Sequence, residues 1–401
     1  MTAESLVGRK GRLSRILRLL KRLRPAALPV TYRDNRVLLF PGGTDFFRSL
    51  HTALGQAKEY ILIEFYLIRN DRTGAALAEE LVRAAGRGVS VRLVYDAIGS
   101  LETPASFFAA LARQGVEVVP FNVPSFRRGL RWFDRRDHRK LVVIDGSLAY
   151  LGGFNIGDEY SGRLEGKRRF RDVGFSISGD AVGELVREFS EIWQLEQPEP
   201  PTLPTGRKNP GDDRRRQGGS AAVVIVSGGP HQRRSYIGSA FLVNIAAASE
   251  EILIATPYFV PGPRILRALL RAARRGVQVS LLLPARSDVP VVRLLGRSFY
   301  GALLRQGIAI CELDGEILHA KVMLIDRERT ILGSANLDQR SFHRNFEINC
   351  IIDDGAFGGQ IRRLFLKDFR KSRPITLGDY ERRGLVARFL ERVINLFARF
   401  L

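Results

Sequence analysis

The stretch YILIEFYLIRNDRTGAALAEELVRAAGRGVSVRLVYD, Tyr60 to Asp96, passes from an apolar run to an amphipathic run and back. YILIEFYLI (Tyr60–Ile68) and VSVRLVYD (Val89–Asp96) read as buried strands, and TGAALAEELVRAAGRG (Thr73–Gly88) reads as a helix ended by Gly. Strand, helix and strand in that order form a βαβ unit, whose favoured packing is a mainly parallel sheet covered by helices. The unit occurs twice. EILIATPYFV (Glu251–Val260), PRILRALLRAARRG (Pro263–Gly276) and VQVSLLLP (Val277–Pro284) repeat it. RQGVEVVPF (Arg113–Phe121) and RQGIAICEL (Arg305–Leu313) then add a Gly-containing turn and a short strand to each copy. An α/β fold of two similar halves follows.

Each half next carries the same short pattern, HRKLVVIDGSLAYLGGFN (His138–Asn155) and HAKVMLIDRERTILGSAN (His319–Asn336). His, Lys, Asp and Asn are each displaced by 181 residues between the copies. A two-residue spacing puts His138 with Lys140, and His319 with Lys321, on one face of a strand. Asp145 and Asp326 begin hairpin turns, and the returning strands end at Gly152-Gly153 and Gly333-Ser334. Small residues there would let a ligand approach and let backbone N–H groups face an anion. Paired His and Lys suit a phosphodiester: one imidazole attacks phosphorus while the other protonates the leaving alkoxide. Two lysines, helped by Asn155 and Asn336, would hold the nonbridging oxygens. A buried acid near each His would fix its tautomer. The remaining histidines, His51, His231 and His343, are background, although His343 sits in an RSFHRN loop that could touch substrate. Glu64 is an acid on an otherwise apolar strand, which calls for a buried partner or a pocket role, and Tyr66 shares that strand.

The 401 residues include 63 Lys and Arg against 42 acids, a formal net charge of +21, so anionic lipid headgroups and nucleic acid are the natural partners. With only Cys311 and Cys350 and no zinc-type spacing, a reducing compartment and no metal are expected. No apolar run reads as a signal peptide or reaches the length of a membrane span, so membrane contact should be peripheral. GRKGRLSRILRLLKRLR (Gly8–Arg24) forms a basic amphipathic helix if helical, as do residues around Leu385, Phe389 and Phe400. Either segment could lie in an anionic interface or pack on the protein. The basic stretches RRGLRWFDRRDHRK (Arg127–Lys140) and RLEGKRRFRD (Arg163–Asp172) are either a solvated face or a basic, aromatic rim around a cleft.

His-x-Lys-x-x-x-x-Asp followed by Gly-Gly/Ser-x-x-Asn, present twice, resembles the phospholipase D superfamily. IEFYLIRNDRTG (Ile63–Gly74), GGFNIGDEY (Gly152–Tyr160) and GSANLDQRSFHRNFE (Gly333–Glu347) resemble its bacterial cardiolipin synthase branch without transmembrane helices. The resemblance implies two phospholipase D-like halves about a pseudo-twofold axis, with the catalytic set His138, Lys140, Asp145, His319, Lys321 and Asp326. By that likeness His138 is the nucleophile and His319 the general acid, later the base. Glu347 is the acid beside the second His, and Asp172 is the candidate beside the first. Asp145 and Asp326 organise their turns and neighbouring Lys, and Ser334 is a phosphate or pocket contact. Segments are expected at 1–30 (basic amphipathic), 31–196 (first half), 197–219 (linker), 220–373 (second half) and 374–401 (basic amphipathic). The implied function is phosphatidyl transfer between phosphatidylglycerol molecules, without metal or cofactor, peripherally at the cytoplasmic side of a bacterial cell membrane. Hydrolysis of phospholipid or nucleic acid, and non-catalytic nucleic-acid binding, are the alternatives.

Overall fold

The computed structural model describes residues 30–124, 135–197, 199, 219–230 and 235–384. The N-terminal basic segment, most of the 197–219 linker, the aromatic-basic stretch 125–134, His231 and the segment from residue 385 onward lie outside the described residues.

In the first half the strands are β1 (Thr31–Phe40), β2 (Tyr60–Phe65), β3 (Ser90–Asp96), β4 (Glu117–Phe121), β5 (Lys140–Ile144), β6 (Leu148–Gly152), β7 (Phe170–Arg171) and β8 (Gly174–Ser178). The second half supplies β9 (Ala221–Gly228), β10 (Glu251–Ala255), β11 (Phe259–Val260), β12 (Gln278–Pro284), β13 (Ala309–Leu313) and β14 (Ile317–Leu318). It continues with β15 (Val322–Ile325), β16 (Arg329–Gly333), β17 (Leu337–Asp338), β18 (Glu347–Asp353) and β19 (Ser372–Ile375). A mixed sheet of 15 strands runs β19-β13-β12-β10-β15-β16-β18-β9-β1-β8-β6-β5-β2-β3-β4. With β19 set aside, the order is a palindrome about the antiparallel β9–β1 contact, the signature of two similar halves about a pseudo-twofold axis.

Both βαβ units form as the sequence predicts. β2, β3 and β4 are parallel neighbours, as are β10, β12 and β13. Helices Arg72–Gly86 and Gly262–Arg274 make the crossovers. Each half buries an outer apolar layer beneath its crossover helices. A third core lies between the halves, where helices Ala181–Glu196 and Gly355–Arg370 pack against strands of both. Leu62, Val143 and Phe189 share that core with Leu324, Ile348 and Phe365. Neither half therefore completes its own interior.

Two short parallel pairings lie directly on the axis. β7 runs beside β14 with Arg171 opposite Leu318, and Asp137 bridges Phe346. Arg171 carbonyl accepts from His319 N at 2.8 Å, and Phe346 carbonyl accepts from His138 N at 2.9 Å. The second-half boundary differs from the expected 373/374. β19 crosses it and pairs with β13, and Tyr380 beyond it is buried in the second half's outer core. Pairing with a parallel strand that lacks an outer neighbour keeps this segment on the body.

Candidate active site

β5 starts at the motif Lys and β15 one residue after it, and both end one residue before the motif Asp. β5 is antiparallel to β2, with Lys140 opposite Phe65, so the first motif's His and Lys sit where β2 and its parallel neighbours end. The second motif is placed likewise, with Val322 opposite Ala255 at the end of β10. Ligand sites at the carboxyl ends of parallel strands are a general property of such sheets.

The two half-sites exchange their acids. His138 Nδ1 lies 3.0 Å from both oxygens of Glu347, and His319 Nδ1 lies 2.5 Å from Asp172 Oδ2. This reverses the pairing expected from sequence, in which Glu347 served the second His and Asp172 the first. The reason is the backbone pairing on the axis. Asp172 follows Arg171, which is opposite Leu318, and so meets His319. Glu347 follows Phe346, which is opposite Asp137, and so meets His138. A carboxylate only accepts, so Nδ1 of His138 carries the proton and its Nε2 keeps a lone pair.

The small residues after β6 and β16 also act differently from expectation. A Cβ on Gly153 would come within 2.2 Å of Asp172 Oδ1, so glycine there makes room for the acid. In the second copy Ser334 Oγ donates to Glu347 Oε2 at 2.5 Å and is buried. Ser334 therefore holds the acid by a hydrogen bond. The N–H groups of Gly153 and Ser334 are spent on the carbonyls of Val173 and Ile348, so they are not open to an anion.

Asp145 and Asp326 lie outside the reacting centre. Asp145 accepts from the backbone N–H groups of Lys58, Glu59 and Tyr60 at 2.8–3.0 Å, and Asp326 from those of Ser249, Glu250 and Glu251 at 2.7–3.2 Å. They clamp the starts of β2 and β10 at the far end of β5 and β15, roughly 16 Å from the motif Lys at ~3.3 Å per residue. They do not bond to the neighbouring Lys. Both open turns with two consecutive left-handed residues, φ 49° and 58° at Asp145-Gly146 and 48° and 61° at Asp326-Arg327.

Lys140 Nζ donates to the His138 carbonyl at 2.6 Å, and Lys321 Nζ donates to the His319 carbonyl and lies 2.8 Å from His319 Nδ1. Each ammonium has further protons for a ligand. Asn155 Nδ2 donates to Tyr160 Oη, while Asn336 is held through its backbone N by Ser341. Among the described residues the buried side-chain oxygens of Asn155 and Asn336 have no hydrogen-bond partner. Tyr66 packs its ring edge-on against His138 at 5.0 Å, and Lys140 Nζ lies 5.3 Å from the Tyr66 ring. Tyr160 and Phe170, which the sequence reading missed, pack in the same way on His319 at 5.3 and 5.2 Å. Phe170 stands two residues before Asp172, a local signal that could have marked it.

Burial dominates the electrostatics. It lowers His138 to about 4, with Lys140 adding to the effect and Glu347 opposing it. Burial also lowers Lys140 to about 7, and it lowers His319 and Lys321. Burial raises Glu347, but His138, Lys140 and the Ser334 hydroxyl outweigh it and hold the carboxyl below its ordinary range. Lys321 acts on His138, and Lys140 feels Asp172, so the two motifs share one electrostatic field. Asp288 of the second half, hydrogen-bonded to Tyr258 at 2.6 Å, acts on His319, Lys321 and also on Tyr66 of the first half. No sequence signal marks Asp288.

Behind His138 is a feature that the second half lacks. Arg139 donates to Glu188 Oε2 at 2.8 Å, with Asp137 beside its backbone N and Glu64 3.9 Å from its Nε. All four residues are buried. Burial, reinforced by the Asp137 charge, pushes Glu64 well above the ordinary carboxylate range. The equivalent positions in the second half are Ala255, Leu318 and Ala320, which are core. Glu64 thus supports the strand under the site and does not line it. Arg136 pairs with Asp96 at 3.0 Å and Arg171 with Asp368 at 2.8 Å, so these members of the basic stretches are buried ion pairs and neither rim nor solvated face.

This geometry is accompanied by extensive sequence likeness. Residues 50–193 and 241–369 match the family described as cardiolipin synthase, PLD-like domain. The chain belongs to the cardiolipin synthase, phospholipase D-like family. Family relatives include a cardiolipin synthase of Geobacillus thermodenitrificans, 35% identical over 370 residues, covering 92% of this chain and 73% of the relative. Cardiolipin synthase A of Pseudomonas putida is 35% identical over 353 residues, 86% of this chain and 70% of that protein. Among solved structures, phosphatidylserine synthase of Haemophilus influenzae superposes with a TM-score of 0.72 over 96% of this chain and 97% of that one, at 14% identity. That likeness shows the fold. Among the described residues no helix is long and apolar enough to cross a membrane.

Proposed function

We propose that this protein is a phosphatidyltransferase of the cardiolipin synthase type, joining two phosphatidylglycerol molecules and releasing glycerol. The observation that supports the reading is the exchange of acids across the axis, which ties each His-Lys pair to the opposite half. His138 Nε2 attacks phosphorus, and the P–O bond to the departing glycerol breaks. His319, protonated when an anionic substrate offsets the two lysines, gives its proton to that alkoxide. His319 then takes the proton from the hydroxyl of a second phosphatidylglycerol, whose oxygen attacks phosphorus as the P–N bond to His138 breaks. The phosphodiester energy is kept in the intermediate, so no nucleotide enters.

Lys140 and Lys321, with Asn155 and Asn336, balance charge on the nonbridging oxygens in the transition state. This arrangement supplies the electrostatic role of a metal ion from side chains, so a chelator should leave turnover intact. The free cysteines and the net charge of +21 support peripheral action at the cytoplasmic face of a bacterial membrane.

Incubation of the purified protein with phosphatidylglycerol vesicles, with lipid products identified by mass spectrometry, tests the reading. Cardiolipin and free glycerol are the expected products. Phosphatidic acid alone would assign water as the acceptor, and absence of any lipid product would overturn the reading.

A further inference from the structure

We infer that the end of the molecule carrying the shared site docks on an anionic phospholipid bilayer through apolar side chains repeated about the pseudo-twofold axis. β3 and β12 are equivalent strands, and both point their carboxyl ends toward the site. Five residues past the end of β3 stands Leu101, 71% exposed, and five past the end of β12 stands Val289, 39% exposed. Val291, in the first turn of the helix Pro290–Arg297 that follows, is also exposed. Val123 lies just beyond the end of β4, the neighbour of β3. Leu195 ends helix Ala181–Glu196, and the Glu196 carboxylate accepts from Asn122 N, which holds Leu195 close to Val123. Among the described residues, five of the eight exposed large apolar side chains therefore lie at one end of the molecule, contributed by both halves.

The loops are tied to the chemistry. Asp288, next to Val289, acts on His319 and Lys321 of the second motif and on Tyr66 of the first half. Ser100, next to Leu101, accepts from Ile68 N, three residues past β2. The acids of these loops are engaged, Glu102 with Arg69, Asp288 with Tyr258 and Asp314 with Arg286. A protein carrying +21 that presents paired loop acids and unpaired apolar tips matches an anionic headgroup layer over a hydrocarbon interior. Seated this way, the nearly buried imidazoles meet a phosphodiester that rises only slightly from its layer, its acyl chains still in the bilayer.

The inference rests on the lipid reading and is tested separately from it. The double variant Leu101→Glu/Val289→Glu is compared with the natural protein on phosphatidylglycerol vesicles and on a short-chain phosphatidylglycerol kept monomeric. Vesicle turnover should fall about ten-fold or more, since burial of two such side chains is lost. Short-chain turnover should stay within about two-fold. Leu38→Glu, 45% exposed but in mid-sheet on β1, should leave both unchanged. Equal vesicle turnover in the double variant, or an equal fall on both substrates, would overturn the inference. A second readout needs no turnover. The emission added by Leu101→Trp should be quenched by anionic vesicles brominated in the acyl chains, and unquenched emission would overturn docking even if cardiolipin is made.

Discussion

His138 and His319 differ from ordinary surface histidines because burial keeps both neutral. His138, lowered to about 4, is a ready nucleophile at neutral pH and is lost only as pH falls toward 4. Lys140, lowered to about 7, loses its charge as pH rises through 7. kcat/KM for phosphatidylglycerol should therefore form a bell with its acid limb well below 6.5, from His138, and a basic side set by the proton that the lowered His319 must carry and by Lys140 near 7. Glu347→Gln removes a charge that raises both values, so both limbs should move to lower pH and the maximum should fall by about a hundred-fold. An acid limb that moves upward in this variant would show that Glu347 does not face His138. His138→Ala should abolish both turnover and the covalent adduct seen by mass spectrometry. Turnover of His319→Ala should be rescued in the first step by a donor whose leaving group has a low pKa, and lack of rescue would exclude its acid role. Gly153→Ser should pass for a conservative change, being serine in the other copy. Its Cβ would collide with the Asp172 carboxylate, so turnover should fall sharply while the fold persists by circular dichroism.

At the scale of elements, the motif aspartates divide from the motif histidines. Asp145 satisfies three consecutive backbone N–H groups at the start of β2 and itself adopts a left-handed conformation. Asp145→Ala should cost about 2–3 kcal/mol in chemical denaturation, from lost charge-assisted bonds and from the backbone geometry. The kcat of the molecules that remain folded should stay within about two-fold. A collapse of kcat without loss of stability would place Asp145 back in the chemistry. The cross-axis pairings of β7 with β14, and of Asp137 with Phe346, are the elements that choose which acid serves which histidine. Glu347 stands 28 residues after His319 and Asp172 stands 34 after His138, unequal offsets that do not say which histidine each acid serves.

For the whole molecule, each half lacks the acid that its own histidine needs and shares a core with the other. A chain cut within 197–219 should yield fragments that are inactive alone and active when co-expressed. Activity in either fragment by itself would contradict the shared site.

The sequence by itself determined the two βαβ units and the β5–β6 and β15–β16 hairpins, while the motif histidines, expected on the strands, stand just ahead of them. Hydrophobic periodicity, turn chemistry and a two-residue spacing are local and survive in a single line of residues. It also marked Glu64 as an acid needing a partner, but not Arg139 and Glu188 as the charges around it. Only the tertiary structure decided that Glu347 belongs to His138 and Asp172 to His319. It alone showed Ser334 bonded to an acid, Arg136 and Arg171 buried as ion pairs, and Asp288 facing both halves. The crossed contacts of His138 with Glu347 and His319 with Asp172 join residues 209 and 147 positions apart, and their partners are set by a symmetry axis that no local pattern records.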